Sequence, residues 1–371
     1  MNAFHSPYPT WVEVDLSAIA HNTRLLRQTT NTAVMAVVKA EAYGHGMIAV
    51  ARTALEHGAT WLGVARLGEA RQIRLAHIAA PTLVFGLLTP EEVDEAIAND
   101  ISVTLHSFEN AELLSQRAAA LGRPVHAHLK VDTGMGRMGV LPEEARRLAE
   151  FACASGRILL EGLYSHLAEV DDDPHAALTE QQMRRFVQAL RSLEEAGLRP
   201  PYVHLANSAA AYALPAARFD LVRAGSAIVG LRPFYYAAFP SAMRRSLSWH
   251  AQLADCKRLP AGWNVSYGQE YQASGEEWIG VVPVGYGDGL RRQPGNQVLI
   301  EGQRVAVVGR VCIDQCMVRL PRPLPPGTRV TLIGRQGDEA IYVEELVQRW
   351  HSSEAGVTAG ITGRVPRCYR T

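Results

Sequence analysis

The stretch ISVTLHSFENAELLSQRAAALGRPVHAHLKV (residues 101–131) carries the architecture of the chain in one repeat. It opens on a β-branched apolar run at 101–105, turns at Ser107, a hydroxyl suited to cap a helix, and ends in a second apolar run at 125–131 (VHAHLKV). The stretch between, 107–121, is amphipathic with helical spacing. Strand, helix, strand in that order calls for parallel pairing. The same texture recurs on both sides, at 34–38 (VMAVV), 61–65 (WLGVA), 82–85 (TLVF), 158–164 (ILLEGLY), 202–205 (YVHL) and 220–229. Eight such units in about 200 residues predict an α/β fold of the (β/α)8 TIM-barrel type. No GxGxxG follows the first strand, which counts against an open doubly wound sheet.

After about residue 240 helical periodicity fades. Short Val-rich runs take over at 278–284, 297–300, 304–308 and 329–333, separated by turn signals such as Pro294-Gly295 and Pro326-Gly327. This predicts a mainly-β carboxyl-terminal domain with one helix at 342–351, so that residues 1–240 form the barrel and 241–371 the second domain. Residues 11–15 (WVEVD) read as an extra strand free to pair with that second domain.

The length, 371 residues, fits roughly two or three domains. Lys+Arg and Asp+Glu are both 37, so no net field favours nucleic acid or an anionic membrane. No apolar run reaches membrane-spanning length. The opening MNAFHSPYPT has neither the basic region nor the apolar core of a signal peptide, and a cytoplasmic protein is expected. Five cysteines without CxxC spacing suggest neither a disulfide framework nor a metal site. Only three of the 37 basic residues are lysines: Lys39, Lys130 and Lys257. A lysine kept against that bias is a candidate for what arginine cannot do, which is to lose its proton and act as a nucleophile.

Functional groups in such a barrel stand at the carboxyl ends of the strands. Those ends carry Lys39, Arg66, Gly86, His106, Lys130 with Asp132, His166, Asn207 and Arg223. Each alone is as readily structural, but together they make a polar mouth. Lys39 is the amine placed directly after an apolar strand, where desolvation lowers its pKa as Schiff-base chemistry requires.

The segment AVVKAEAYGHG (36–46) resembles the pyridoxal-phosphate lysine motif of the alanine racemase family, with Glu41 where the family usually has Asp. The similarity runs on through HLKVDTGMGRMG (128–139), SHLA (165–168), HLANSAA (204–210), DLVRAG (220–225), VSYG (265–268), VPVGYGDG (282–289), VCIDQ (311–315) and RVPRCY (364–369). Nine motifs in family order span essentially the whole chain.

The resemblance implies a homodimeric racemase that interconverts L- and D-alanine with pyridoxal 5'-phosphate bound to Lys39. The cofactor phosphate would be held by the hydroxyls of Tyr43 and Ser208 and by the backbone N–H groups of Gly225 and Ser226. His166 would lie near the pyridine ring, Asn207 beside the site, and Arg223 against the pyridine nitrogen, which a donor-only guanidinium keeps unprotonated. Lys39 and Tyr267, the latter from the other subunit, would serve opposite faces of the substrate Cα. Arg137 and the backbone N–H of Ile313, in the loop with Asp314, would bind the substrate carboxylate. Lys130 would be carbamylated, with an ordinary ion pair to Asp132 as the alternative.

The chain departs from the family at Gly363, where a tyrosine is usual, and at Ser226, Val229 and Ile313. An aromatic lost at 363 would leave room beyond the substrate Cβ, so a serine or broad-specificity racemase is the second reading. Whether D-alanine is made as a peptidoglycan precursor or broken down stays open. A non-catalytic pyridoxal-phosphate carrier lacks a second domain, and a decarboxylase on this barrel needs an acidic residue where Arg223 stands.

Overall fold

Residues 7–235 and 240–371 are described by the structure, a computed structural model. Residues 1–6, part of the stretch read for a signal peptide, lie outside them. Eight parallel strands form one sheet in the spatial order Tyr202–His204, Ile158–Tyr164, Val125–Lys130, Ser102–Leu105, Thr82–Val84, Trp61–Val64, Ala33–Val37, Leu221–Ala224. The ring is completed between the outermost two by Asp220 N–H to Val203 O (3.0 Å) and Arg223 N–H to Ala206 O (3.0 Å). Strand residues such as Met35, Leu62, Leu83, Val103 and Leu129 are fully or nearly fully buried, because strands covered by helices meet apolar packing on both faces.

Helix caps follow the sequence where it carries them. Ser107 accepts the Asn110 amide (3.1 Å) at the start of Phe108–Leu121, and Gly122 ends that helix in the left-handed region. One expected strand is corrected: 220–229 is a strand only over Leu221–Ala224. Beyond it the Gly225 carbonyl accepts the amides of Ile228 (3.1 Å) and Val229 (3.2 Å), while the Gly225 and Ala227 amides go to Ser208 Oγ. These groups close a turn and leave no ladder for a strand to extend along.

Two compact units divide the chain. Among the described residues, one comprises 18–42, 47–235 and 240–244 and holds the barrel; the other comprises 7–17, 43–46 and 245–371. The second unit is a ten-stranded sheet in which Thr10–Asp15 pairs antiparallel with Leu247–Gln252 and parallel with Arg367–Arg370. Residues 7–17, expected within the barrel segment, therefore belong to the β unit. The helix expected at 342–351 is Val343–Trp350. Strands Asp255–Leu259, Cys316–Leu320 and Glu339–Ile341 and helix Glu354–Ala359 carry no comparable sequence signal. Among the described residues no helix is long and apolar enough to cross a membrane.

Inside the barrel, Gly162 leaves space for a neighbouring ring: a Cβ there would lie 2.1 Å from His128 Nδ1. The pairing of these strands shifts register between Ala127 and His128. Gly162→Ala is expected to destabilise the fold by about 1–3 kcal/mol through overpacking against a buried ring, read as a lower urea midpoint at unchanged m-value.

Candidate active site

The segment after the first barrel strand takes an uncommon course. Ala40, Glu41, Ala42 and Tyr43 have φ of 51, 55, 49 and 57°, a left-handed turn built entirely of non-glycine residues. Each such residue costs about 1–2 kcal/mol, so the turn needs support. Glu69 supplies it: one carboxylate oxygen accepts the Ala40 amide (2.6 Å) and the other accepts those of Ala65 (2.8 Å) and Arg66 (3.0 Å). Glu41 accepts the Met47 amide (3.1 Å). Lys39 leads this turn, and burial holds its amine below the usual lysine value; Arg137 and Arg223 push the same way and Glu69 opposes them.

Arg223, at the end of the last barrel strand, is 5% exposed. Its Nη1 donates to His204 O (2.8 Å) and His204 Nδ1 (3.1 Å); its Nη2 donates to Ser165 O (2.7 Å) and Leu205 O (3.0 Å). Nη2 also lies 3.4 Å from His166 Nδ1. Among the described residues no carboxylate stands within ion-pair distance of this guanidinium, and burial lowers its pKa to about 10. Burial, then the charges of Arg223, Lys130, Arg137 and Lys39, hold His166 well below the ordinary histidine value, so it is neutral.

Lys130 is 3% exposed; its Nζ has no hydrogen-bond partner and lies 4.9 Å over the Tyr164 ring. Burial first, then Arg223 and Arg137, bring its pKa down to about 7. The expected alternative, an ion pair with Asp132, is not formed. That carboxylate instead accepts the amides of Gly134, Met135, Gly136 and Arg137 at 2.9, 2.9, 3.1 and 2.8 Å, which fixes the loop carrying Arg137. Backbone donors in a tight loop outcompete one flexible amine.

Ser208 opens the short helix Ser208–Ala213, and its Oγ accepts the Gly225 (3.2 Å) and Ala227 (3.3 Å) amides; Ser226 is half-buried between them. Asn207 caps that helix through the Ala210 amide (2.9 Å) and donates to Asp171 (2.8 Å). His106 is half-buried, with its pKa lowered by burial, and Arg66 occupies the N-cap position of the helix Leu67–Leu75, where its amide donates to Glu69. The structure thus brings Lys39, Lys130, Arg137, His166 and Arg223 within electrostatic reach of one another.

Tyr43, Tyr267 and Ile313 belong to the β unit. Tyr267 is 67% exposed on a turn held by Ser266 Oγ donating to Arg310 O (2.6 Å) and by Arg310 pairing with Glu270 (2.6 Å). Ile313, 50% exposed, sits on a loop whose carbonyls at 312 and 313 accept the Tyr286 (3.0 Å) and Gly287 (2.9 Å) amides. Arg364 donates to Asp314 (2.5 Å) beside it, and a Cβ at Gly287 would collide with that guanidinium at 2.3 Å. Glu69 and Arg364 were not legible as site residues. Glu69 lacks the Ser/Thr of a capping box three residues earlier, and Arg364 was only part of a motif.

The fold and these groups define a two-part barrel protein with a desolvated lysine after its first barrel strand and a buried arginine at its last. Residues 14–233 match the alanine racemase N-terminal domain and residues 246–369 the alanine racemase C-terminal domain. The chain is 45% identical to the alanine racemase of Geobacillus stearothermophilus, covering 100% of this chain and 95% of that one. It is 41% identical to alanine racemase 1 of Bacillus subtilis, covering 97% and 92%. The crystal structure of alanine racemase from Bacillus anthracis with bound L-Ala-P superposes with a TM-score of 0.93 at 38% identity, over 99% of this chain and 96% of that one. The chain belongs to the alanine racemase family.

Two outcomes follow from this geometry. Glu69→Leu strips three amides of their acceptor and is expected to destabilise the protein by about 2–4 kcal/mol, measured by urea unfolding. Lys130, with a folded pKa of about 7 against 10.5, binds fewer protons folded than unfolded between those values. Its contribution to stability therefore rises with pH across that window. In carbon-dioxide-free buffer, Lys130→Met should flatten the rise, read from unfolding free energies measured across the same range.

Proposed function

We propose that this protein interconverts L- and D-alanine as a homodimer in the cytoplasm, using pyridoxal 5'-phosphate. The observation that carries the reading is Lys39: a largely buried amine, its pKa lowered, immediately after the first barrel strand. The donor set fits the group. Ser208 Oγ takes the Gly225 amide, so that N–H expected for the phosphate is already engaged and Gly225 serves by bringing backbone close. The Ser208 hydroxyl proton and the Ser226 amide would meet the phosphate, and among the described residues Arg223 offers a guanidinium with no carboxylate beside it. Lys39, Tyr43, His166, Asn207, Ser208, Arg223, Gly225 and Ser226 would hold the cofactor, which when bound supplies the electron-withdrawing ring that acidifies the amino acid Cα–H.

Racemisation takes a proton from one face of Cα and returns one to the other. The Lys39 amine would serve one face and the Tyr267 phenol of a second copy the other. Tyr267, Tyr286 and Ile313 are large exposed side chains on one connected cluster of loops, as a surface that completes a partner's site requires. Arg137 and the Ile313 amide would bind the carboxylate. The Lys130 amine, with a pKa of about 7, is deprotonated in a large share of molecules at neutral pH. Without a hydrogen-bond partner among the described residues and facing two guanidinium charges, it suits attack on carbon dioxide: an N–C bond forms, one amine proton leaves to solvent, and the carbamate anion offsets Arg137 and Arg223. Alanine is favoured over serine because the relatives compared carry alanine in their names; the open space around Gly363 is the observation on the other side.

Tyr267→Phe should lower kcat for L-alanine by about 10²–10⁴, the usual worth of a general acid or base. Mixing Lys39→Ala with Tyr267→Phe chains and reassembling them should restore about a quarter of wild-type activity, since each hybrid dimer has one intact composite site. Recovery of none would place both groups in one chain's site and sink the composite reading. Labelled bicarbonate should give a carbamate carbon resonance that Lys130→Met abolishes.

A further inference from the structure

Behind Arg223 a row of polar side chains crosses the barrel core from its mouth to its floor. Arg223 Nη1 donates to His204 Nδ1 (3.1 Å). His204 Nε2 lies 2.8 Å from His128 Nδ1, and His128 Nε2, which makes no hydrogen bond, faces a Glu161 carboxylate oxygen at 3.8 Å, an electrostatic contact longer than a hydrogen bond. That oxygen accepts the Ser102 hydroxyl (2.7 Å), and the other lies 2.7 Å from His126 Nδ1, which leads through His126 Nε2 to Asp100 at 3.5 Å. His128 and His204 are both fully buried, whereas Asp100 is largely exposed.

The row has one direction. A guanidinium can only donate, so the His204 Nδ1 that faces it carries a lone pair. His204 Nε2 then carries the proton and gives it to His128 Nδ1, and His128 Nε2–H faces the carboxylate. The reverse alignment would set N–H against N–H at Arg223 and leave Glu161 facing a lone pair. A donor at one end and a negative carboxylate facing the other thus select a single pair of tautomers.

The surroundings keep both rings in place. His204 stacks on Tyr164 at 5.0 Å and 2°. His128 stands edge-on to Trp61 at 5.1 Å and occupies the space that Gly162 leaves. Tyr164 is itself tied to Thr104 Oγ1 (2.7 Å).

We propose that Glu161 is a positioning residue for Arg223: through His128 and His204 it fixes the tautomer that presents an acceptor to Nη1, and so aims the guanidinium that also reaches His166. Burial keeps both histidines below the ordinary value, consistent with two neutral rings. The catalytic consequence rests on the part given to Arg223 under the proposed function; the tautomers do not.

The test is histidine ring ¹⁵N NMR on the full-length dimer, with and without cofactor, beside steady-state racemisation. Wild type should show protonated Nε2 and unprotonated Nδ1 at both His128 and His204. In Glu161→Leu those signals should move towards a tautomer mixture and kcat should fall about tenfold at unchanged KM, as loss of an outer partner that orients an inner group does. Glu161→Gln, which keeps an acceptor, should restore both. The opposite tautomers in wild type would overturn the proposal even if the Leu variant fails to fold. Unchanged ring shifts in a folded Leu variant would overturn it too. Moved shifts with unchanged kcat would support the tautomer link and count only against the part given to Arg223 in racemisation.

Discussion

The burial of one guanidinium without a carboxylate is the constraint around which the barrel unit is arranged. A bare buried charge is costly, and at Arg223 it is met by backbone carbonyls and histidine lone pairs. Those carbonyls come from Ser165, His204 and Leu205, at the ends of the strands Ile158–Tyr164 and Tyr202–His204. The pairing of Gly162, Leu163 and Tyr164 with Tyr202, Val203 and His204 is therefore tied to the charge. Slipping it by one residue would turn inward-facing groups outward. A carboxylate beside Arg223 would satisfy the cation more simply, but it would also neutralise the donor face that the site presents.

The lysine is placed by a different kind of constraint. A right-handed helix after the strand Ala33–Val37 would continue the usual barrel pattern, yet four residues go left-handed instead. Strain of this kind persists only where the surroundings impose it. Here the Glu69 carboxylate bridges the turn to the next strand end, and at Gly44 a Cβ would strike the Thr358 carbonyl at 2.1 Å. The same carboxylate opposes, without overcoming, the lowering of the Lys39 pKa by burial and Arg137, so one residue holds the course of the chain and tempers the proton affinity of the amine.

Sequence periodicity found every barrel strand to within a few residues because each is an apolar run bounded by polar or turn residues. It overran at 220–229, where apolar composition continues through Ala227, Ile228 and Val229 but their amides serve a turn. It missed Asp255–Leu259, which is charged along most of its length, and Arg367–Arg370, whose place beside Thr10–Asp15 depends on pairing with residues 355 positions away in sequence. Among site residues, Lys39 stood out by rarity and Arg223 by position. The left-handed turn and the His204–His128–Glu161 row were illegible, since inward-facing histidines on alternating positions look like any half-buried strand. Most of the site's named residues came from the family resemblance, and composition alone would have left them as an unassigned polar rim.

The central claim is that protons leave and arrive on opposite faces of the substrate, one face served by Lys39 and the other by Tyr267. It is tested most directly by following L-alanine in deuterium oxide and measuring deuterium at Cα in each enantiomer during the first few per cent of conversion. With two groups on two faces, D-alanine should form deuterated while recovered L-alanine still carries mostly protium. D-alanine that forms carrying the substrate's own protium would mean that one group serves both faces, and would contradict the account.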